Sequence, residues 1–250
     1  MIIQKIRQSQ PLVHCITNYV VANFTANGLL AVGASPVMAD ELEEVKEMVA
    51  LADALLLNIG TINTRTYESM IVAGKEANRK GIPVVLDPVG VGATSFRQTV
   101  AFNILEHVKI ALIRCNIGEL AALGQSDSWQ VKGVDSGSGE LDVIATAKSL
   151  ALKYDCLVVV TGVKDVITDG SRVIKITGGN RQITEVTGTG CLLGALTAAV
   201  FTLEGDKVNN LQQLLASYKE IAEVASEKAD GLGSFQIELL NQLNQYSMER

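Results

Sequence analysis

The segment Thr187-Gly188-Thr189-Gly190-Cys191 leads without a break into the apolar run Leu192-Leu193-Gly194-Ala195-Leu196. Glycines let backbone amides come close to a ligand, and a helix opening here directs its positive end toward it. That is the chemistry of an anion hole for a transferring phosphoryl group. Cys191 falls in the first turn of this helix, where a thiol pKa is commonly depressed. The other reading of the same residue is a small buried hydrophobe.

Four further clusters follow apolar runs directly: Asn58-Ile59-Gly60, Asp87-Pro88-Val89-Gly90, Arg114-Cys115-Asn116 and Thr161-Gly162. Each alone reads equally as a turn or a helix cap. Together they point to one site, because parallel strands place their carboxyl ends along one sheet edge. Asp87 can reach a metal ion or its bound water. Asn116 and Glu119 form N-x-x-E, which by itself is an N-cap with an acidic N3 residue. Beside Asp87 and Arg114, the second carboxylate suggests magnesium and phosphate handling.

Alternating elements must position these residues. Strands are expected at Leu12–Ile16, Ser35–Met38, Ala54–Ile59, Pro83–Leu86, Ile110–Ile113 and Cys156–Thr161. Helices are expected at Val20–Val32 (with Asn18 as its cap), Glu41–Leu51, Thr66–Arg79, near Ser95–His107, after Asn116, and at Leu141–Tyr154. Residues 124–139, rich in Ser, Gly and Asp, read as a long surface loop. Val166–Thr168 and Arg172–Ile176 flank Asp169-Gly170 and read as an antiparallel hairpin. Long Ala- and Leu-rich helices over Gly188–Val200 and Leu211–Lys228 follow, and Phe235–Leu243 ends the chain. The rhythm predicts one doubly wound α/β domain over residues 1–250, a mainly parallel central sheet with helices on both faces.

Composition agrees with that expectation. Of 250 residues, 48% are hydrophobic and only 4% aromatic, so the core must be aliphatic, as in a buried parallel sheet. The net charge of −6 comes with no basic stripe, which argues against nucleic acid as a partner. Four cysteines without a CxxC pair, and two histidines, indicate neither a zinc site nor a disulfide framework; scattered thiols suit a reducing cytoplasm. No signal-peptide pattern follows Lys5 and Arg7, and no apolar run is long enough to span a membrane. Neither a P-loop nor a dinucleotide fingerprint fits: Gly188, Gly190 and Gly194 lack a strongly apolar preceding strand, and Gly90-x-Gly92 meets Ser95 at the third glycine position.

N-x-x-E followed by a late glycine-rich segment that opens a helix resembles the ribokinase-like superfamily. There the residue after the late G-x-G is usually an aspartate acting as catalytic base. Cys191 at that place matches the hydroxyethylthiazole kinase family instead. Val13-His14-Cys15-Ile16-Thr17-Asn18, Asn23-Phe24-Thr25-Ala26-Asn27-Gly28 and Gly33-Ala34-Ser35-Pro36-Val37-Met38 carry the same resemblance. So do Asn58-Ile59-Gly60, Asp87 through Ala93, Lys132-Gly133-Val134-Asp135 and Gly231 through Phe235.

The resemblance implies a ribokinase-like fold and thiazole contacts at Asn18, Val20, Met38 and Gly188. It implies ATP held by Arg114, Thr161 and Gly190, magnesium near Asp87 and Glu119, and Cys191 next to the substrate hydroxyl. It also implies a homotrimer with sites at subunit boundaries. The expected reaction is ATP-dependent phosphorylation of the primary alcohol of 4-methyl-5-(2-hydroxyethyl)thiazole. Three alternatives stay open on the residues: a sister kinase for hydroxymethylpyrimidine, a thiol-nucleophile hydrolase pairing Cys191 with His14 or His107, and a non-catalytic nucleotide sensor.

Overall fold

The structure is a computed structural model that describes residues 1–125, 130–132, 136–138 and 141–248. Its elements begin with α1 (Ile2–Ser9), β1 (Leu12–Ile16), α2 (Ala22–Ala31), β2 (Ser35–Val37), α3 (Val45–Leu51), β3 (Ala54–Asn58), α4 (Thr64–Lys80) and β4 (Val84–Asp87). There follow α5 (Ser95–His107), β5 (Leu112–Asn116), α6 (Ile117–Leu123), β6 (Gln130–Lys132), β7 (Ser136–Ser138), α7 (Val143–Tyr154) and β8 (Leu157–Thr161). The chain closes with β9 (Asp165–Thr168), β10 (Val173–Ile176), α8 (Gln182–Glu185), α9 (Thr189–Phe201), α10 (Lys207–Lys228) and α11 (Leu232–Met248).

Eight strands form one sheet in the order β10-β9-β8-β5-β4-β3-β1-β2. The six from β8 to β2 run parallel, and β9 and β10 fold back antiparallel as the expected hairpin. The four residues of β4 and the five of β3 are all buried, because helices cover both faces and leave no solvent side. Alternate residues feed opposite cores: Leu56 and Val85 face the layer of α1, α2, α9, α10 and α11, while Leu57 and Leu86 face that of α3 to α7. The chain leaves β1 toward β2 and returns to the other side of β1 with β3. The crevice at this reversal, outside the carboxyl ends of β1 and β3, is where such sheets bind ligands.

Local chemistry explains most element ends. Asn63 caps α4 by accepting from Thr66 N, and Gly81 ends it at φ 74°, a left-handed conformation that favours glycine. Thr94 and Asp142 cap α5 and α7 in the same way.

Several expectations are corrected. Helix α2 begins at Ala22 rather than Val20, and Asn18 does not cap it with its side chain, which turns toward β3 instead. Helix α3 begins at Val45, four residues later than Glu41. The N-terminal stretch, assigned no element from sequence, forms α1 with Ile2, Ile3 and Ile6 buried. Within the expected loop at 124–139, Gln130–Lys132 and Ser136–Ser138 pair as an antiparallel ladder; positions 126–129, 133–135 and 139 lie outside the described residues. No helix among the described residues is long and apolar enough to cross a membrane.

Candidate active site

Strand register brings the polar clusters together. Asn58 and Asp87 are direct Cα partners at the ends of β3 and β4, and Asn116 and Thr161 are partners at the ends of β5 and β8. Asp87 is fully buried, 8% of Arg114 is exposed, and their side chains meet at 3.3 Å between Nη1 and Oδ1. Arg114 Nη2 donates to Thr161 Oγ1 at 2.8 Å, so Thr161 orients the guanidinium. The buried Nε of Arg114 finds no partner among the described residues. Buried donors are rarely left unpaired except where a ligand or water completes them.

Glu119 fulfils the helix-cap reading of N-x-x-E. Asn116 Oδ1 accepts from Glu119 N at 2.8 Å, and Glu119 Oε2 accepts from Asn116 N at 2.8 Å, a reciprocal helix cap. Its other oxygen crosses to the β4 loop and accepts from Gly90 N at 3.0 Å. Burial, reinforced by the Asp87 carboxylate, pushes the Glu119 carboxyl up to about 7. Burial also pushes Asp87 up, against the pull of Arg114 and Asn58. For Arg114, burial opposes the charge, but Asp87 and Glu119 outweigh it and hold the guanidinium firmly cationic.

With both carboxyls ionised the site would hold two negative charges against the single Arg114 cation, which is part of why each is pushed toward its protonated form. Among the described residues no cluster of three or more ligands forms a protein-only metal cage. Two hard carboxylates short of positive charge fit a magnesium ion that keeps water and phosphate oxygens in its shell.

Helix α9 packs its start against this group. Gly188, at φ 98°, is its N-cap; a Cβ there would stand 2.8 Å from Val21 Cγ1 as well as being strained. At Gly190 a Cβ would stand 2.8 Å from Arg114 Nη2, and at Gly194 2.9 Å from Asp87 Oδ2. Gly190 and Gly194 thus let the helix approach side chains of β5 and β4, while Gly188 lies against Val21 and Phe24. Tyr218 of α10 holds the helix start by donating to Thr189 O at 2.8 Å.

Cys191 is half-buried, and its sulfur accepts from Asn18 Nδ2 at 3.5 Å. The expected depressed thiol is not found. Burial first, and then the Asp87 carboxylate, push it up to about 12; hydrogen bonds from Asn58 and Asn18 and the Arg114 charge only partly compensate. The helix end alone does not outweigh desolvation next to a carboxylate. Neither histidine partners Cys191: His14 Nε2 meets Ala39 O at 2.8 Å, and His107 Nδ1 meets Asn103 O at 2.9 Å.

At the crevice between β1 and β3 lies a cavity of about 140 Å³, room for one small heterocycle. Met38, Thr17, Tyr19 and Asn58 are among its lining. Of the residues expected to contact substrate, Met38 lines it and Asn18 bonds to Asn58 on its wall. Gly188 packs on Val21 and Phe24, and Val20 stands 60% exposed beside Tyr19, itself 81% exposed.

Three residues here were not singled out individually from sequence. Asn58 bridges Asp87 and Asn18. Thr17 presents a buried hydroxyl with no partner among the described residues. Arg97 donates to the carbonyls of Ile59 (2.8 Å), Val89 (2.7 Å) and Gly60 (2.6 Å), tying the β3 and β4 loops together. The strand-end position signals Asn58, but nothing in the local pattern marks Arg97, which reaches its partners from α5.

Comparison with known proteins shows the family. The chain matches the hydroxyethylthiazole kinase family over residues 3–249. It is 57% identical to a hydroxyethylthiazole kinase of Lysinibacillus sphaericus, covering 100% of this chain and 97% of that one. It is 51% identical to one of an Exiguobacterium species, covering 96% and 91%. The solved structure of the Pyrococcus horikoshii hydroxyethylthiazole kinase protein superposes with a TM-score of 0.88 at 39% identity, over 98% of this chain and 91% of that one. A ribokinase-like superfamily protein from Enterococcus faecalis, at 11% identity and TM-score 0.70 over 99% and 95% of the two chains, shares the fold. With an eight-stranded, mostly parallel ribokinase-like sheet and family likeness over nearly its whole length, this chain belongs to the hydroxyethylthiazole kinase family.

Proposed function

We propose that this chain transfers the γ-phosphoryl group of ATP to the primary alcohol of 4-methyl-5-(2-hydroxyethyl)thiazole. The product is the thiazole phosphate used in thiamine biosynthesis and salvage. The observation that carries the reading is the placement of Cys191. It sits at the first turn of α9, one residue from the glycine packed on Arg114, and is linked through Asn18 and Asn58 to the wall of a small cavity.

In this reading the thiazole ring occupies the cavity against Met38, whose flexible thioether packs well on a flat sulfur heterocycle. Its hydroxyethyl arm points to Cys191. Arg114, with its unpaired Nε, and the amides from Gly188 to Cys191 receive the phosphates, with Thr161 holding the guanidinium in place. Such transfers pass through a loose transition state, so positioning and charge neutralisation carry most of the catalysis. Magnesium near Asp87 and Glu119 would supply further positive charge for the phosphate oxygens. A thiol pushed up to about 12 carries its own proton at neutral pH, so it can accept the alcohol's proton only as the thiolate, after its S–H proton has passed to water or a phosphate oxygen. As the thiol Cys191 orients the hydroxyl, and in its thiolate form it takes the alcohol's proton late, contributing at most the roughly 10²–10⁴-fold typical of general bases.

The reading treats residues 1–250 as one functional domain working in the cytoplasm. It also places active sites at the boundaries of a homotrimer, a proposal supported by the exposure of Tyr19 and Val20 next to the cavity. An ATP-consumption assay with the thiazole alcohol, with hydroxymethylpyrimidine and with no acceptor tests the function. Turnover specific to the thiazole alcohol is expected. Preference for the pyrimidine alcohol would make the chain the sister kinase, and ATP binding without turnover would make it a sensor.

A further inference from the structure

We infer that Asn58 is a positioning residue for phosphoryl transfer: its side-chain amide carries the orientation imposed by Asp87 across to Asn18, and so fixes how Asn18 meets the sulfur of Cys191. Asn58 is 1% exposed and sits opposite Asp87 in the β3–β4 register. Its Nδ2 donates to Asp87 Oδ2 at 2.8 Å. Asp87 Oδ2 accepts here while its Oδ1 accepts from Arg114 Nη1 at 3.3 Å, so turning this amide round would set oxygen against oxygen.

The Asn58 Oδ1 must then face away from Asp87, where it accepts from Asn18 Nδ2 at 2.9 Å and from Gly60 N at 3.0 Å. That acceptor in turn fixes Asn18, whose Nδ2 also donates to Cys191 Sγ at 3.5 Å. Each amide is thus oriented by the one before it, and the sulfur meets a donor at the end of the series.

Packing removes the slack. A Cβ on Gly60 would stand 2.6 Å from Asn18 Nδ2, and one on Gly194 2.9 Å from Asp87 Oδ2. The backbone therefore closes on both ends of the relay. A buried asparagine serving the core alone would need its two partners but no such directed sequence ending on a half-buried thiol. Asn58 acts on the Cys191 sulfur through Asn18 and through its own hydrogen bond to it, and not on the substrate's reacting atoms.

This inference rests on the kinase reading above. The test is steady-state kinetics of the full chain with ATP, magnesium and the thiazole alcohol, for Asn58→Ala, Asn18→Ala and the double variant, with thermal unfolding of each. Asn58→Ser, which keeps a hydroxyl too short to span both partners, serves if Asn58→Ala does not fold. The Asn58 variant should lose about tenfold or more in kcat while the KM for ATP stays within about threefold, the mark of lost orientation at the reacting centre. The double variant should fall within about twofold of the worse single variant, because both changes break one relay. Wild-type kcat in a folded Asn58 variant, an equal loss in kcat and ATP affinity, or multiplicative effects of the two changes would each overturn the inference. A wild-type chain without turnover on the thiazole alcohol would instead overturn the kinase reading, and this inference with it.

Discussion

Gly190 and Arg114 touch so closely that a Cβ at Gly190 would stand 2.8 Å from Arg114 Nη2. The helix start and the buried cation are therefore one unit. Arg114 has no alternative berth, since its Nη1 is held by Asp87 and its Nη2 by Thr161. Gly190 is not at positive φ, so the constraint at this position is space and not backbone strain.

Gly190→Ala should push the guanidinium off its partners and weaken ATP binding. The expected outcome is a rise of about tenfold in the KM for ATP, the size of about one lost hydrogen bond to a charged group. Thermal unfolding should change little. Unaltered ATP kinetics in this variant would show that Arg114 can shift without consequence.

Magnesium dependence should carry the signature of Glu119. Its carboxyl, raised to about 7, is largely protonated below neutrality and must lose that proton to meet a cation. Half-saturating magnesium should thus rise as pH falls from 8 to 6, by up to about tenfold per unit below the pKa. Glu119→Gln and Asp87→Asn should both lower turnover and raise the magnesium requirement, and Glu119→Gln should flatten its pH dependence. The effect on stability has the opposite sense. The fold favours the protonated acid, so the metal-free protein loses stability as pH rises from the ordinary glutamate value through about 7. Magnesium titrations of activity, and unfolding curves with and without the ion, check both signs.

The strand-end clusters were legible because a parallel sheet aligns its carboxyl ends. Four apolar runs ending in Asn58, Asp87, Arg114 and Thr161 had to meet along one edge, and they do. Cys191 was legible as a position but not as an acid, since the helix end was visible in sequence and Asp87, distant in the chain, was not known to lie beside it. Arg97 was invisible because its partners are backbone carbonyls, which every sequence offers everywhere. The α1 helix was missed for a different reason. Its Ile2, Ile3 and Ile6 do fall on one helical face, but eight residues hold too short a period to stand out.

Arg97→Met should separate the two loops that Arg97 joins. Losing three charge-assisted bonds to carbonyls at a half-buried site should cost about 2–3 kcal/mol, which for a chain of this size means a fall in Tm of about 5–10 °C. Activity should fall with it, because Ile59 and Gly60 follow Asn58 directly and Val89 follows Asp87 by two residues. Differential scanning calorimetry beside the kinase assay checks this. An unchanged Tm would mean the carbonyls are equally well served by water.

Oligomeric state is tested by dilution. Tyr19 and Val20 are exposed apolar side chains next to the cavity, as expected where a neighbouring subunit completes the site. Sedimentation should show a trimer, and specific activity should fall at concentrations where it dissociates. Val20→Asp should shift the protein toward smaller species and raise the KM for the thiazole alcohol together. A monomer with full activity would refute the shared site.

The last prediction concerns how Cys191 acts. Its thiol is pushed up to about 12, and its sulfur accepts a hydrogen bond from Asn18. Neither histidine is placed to deprotonate it. A covalent nucleophile and a proton acceptor both need the thiolate, but only the acceptor's role can be taken over by another base of similar reach at the same position. If position and proton affinity are what matter, Cys191→Asp should retain substantial kinase activity, because a carboxylate there has similar reach and can accept the same proton. Cys191→Ala should lose about 10²-fold or more in kcat, within the range ascribed to a general base. Cys191→Ser should resemble Ala, since a hydroxyl is a poor base at neutral pH. Mass spectrometry of the enzyme during turnover should find no phosphorylated or acylated cysteine. Wild-type turnover by Cys191→Ala, or a covalent species on Cys191 that forms and decays as fast as product appears, would end the proton-acceptor account.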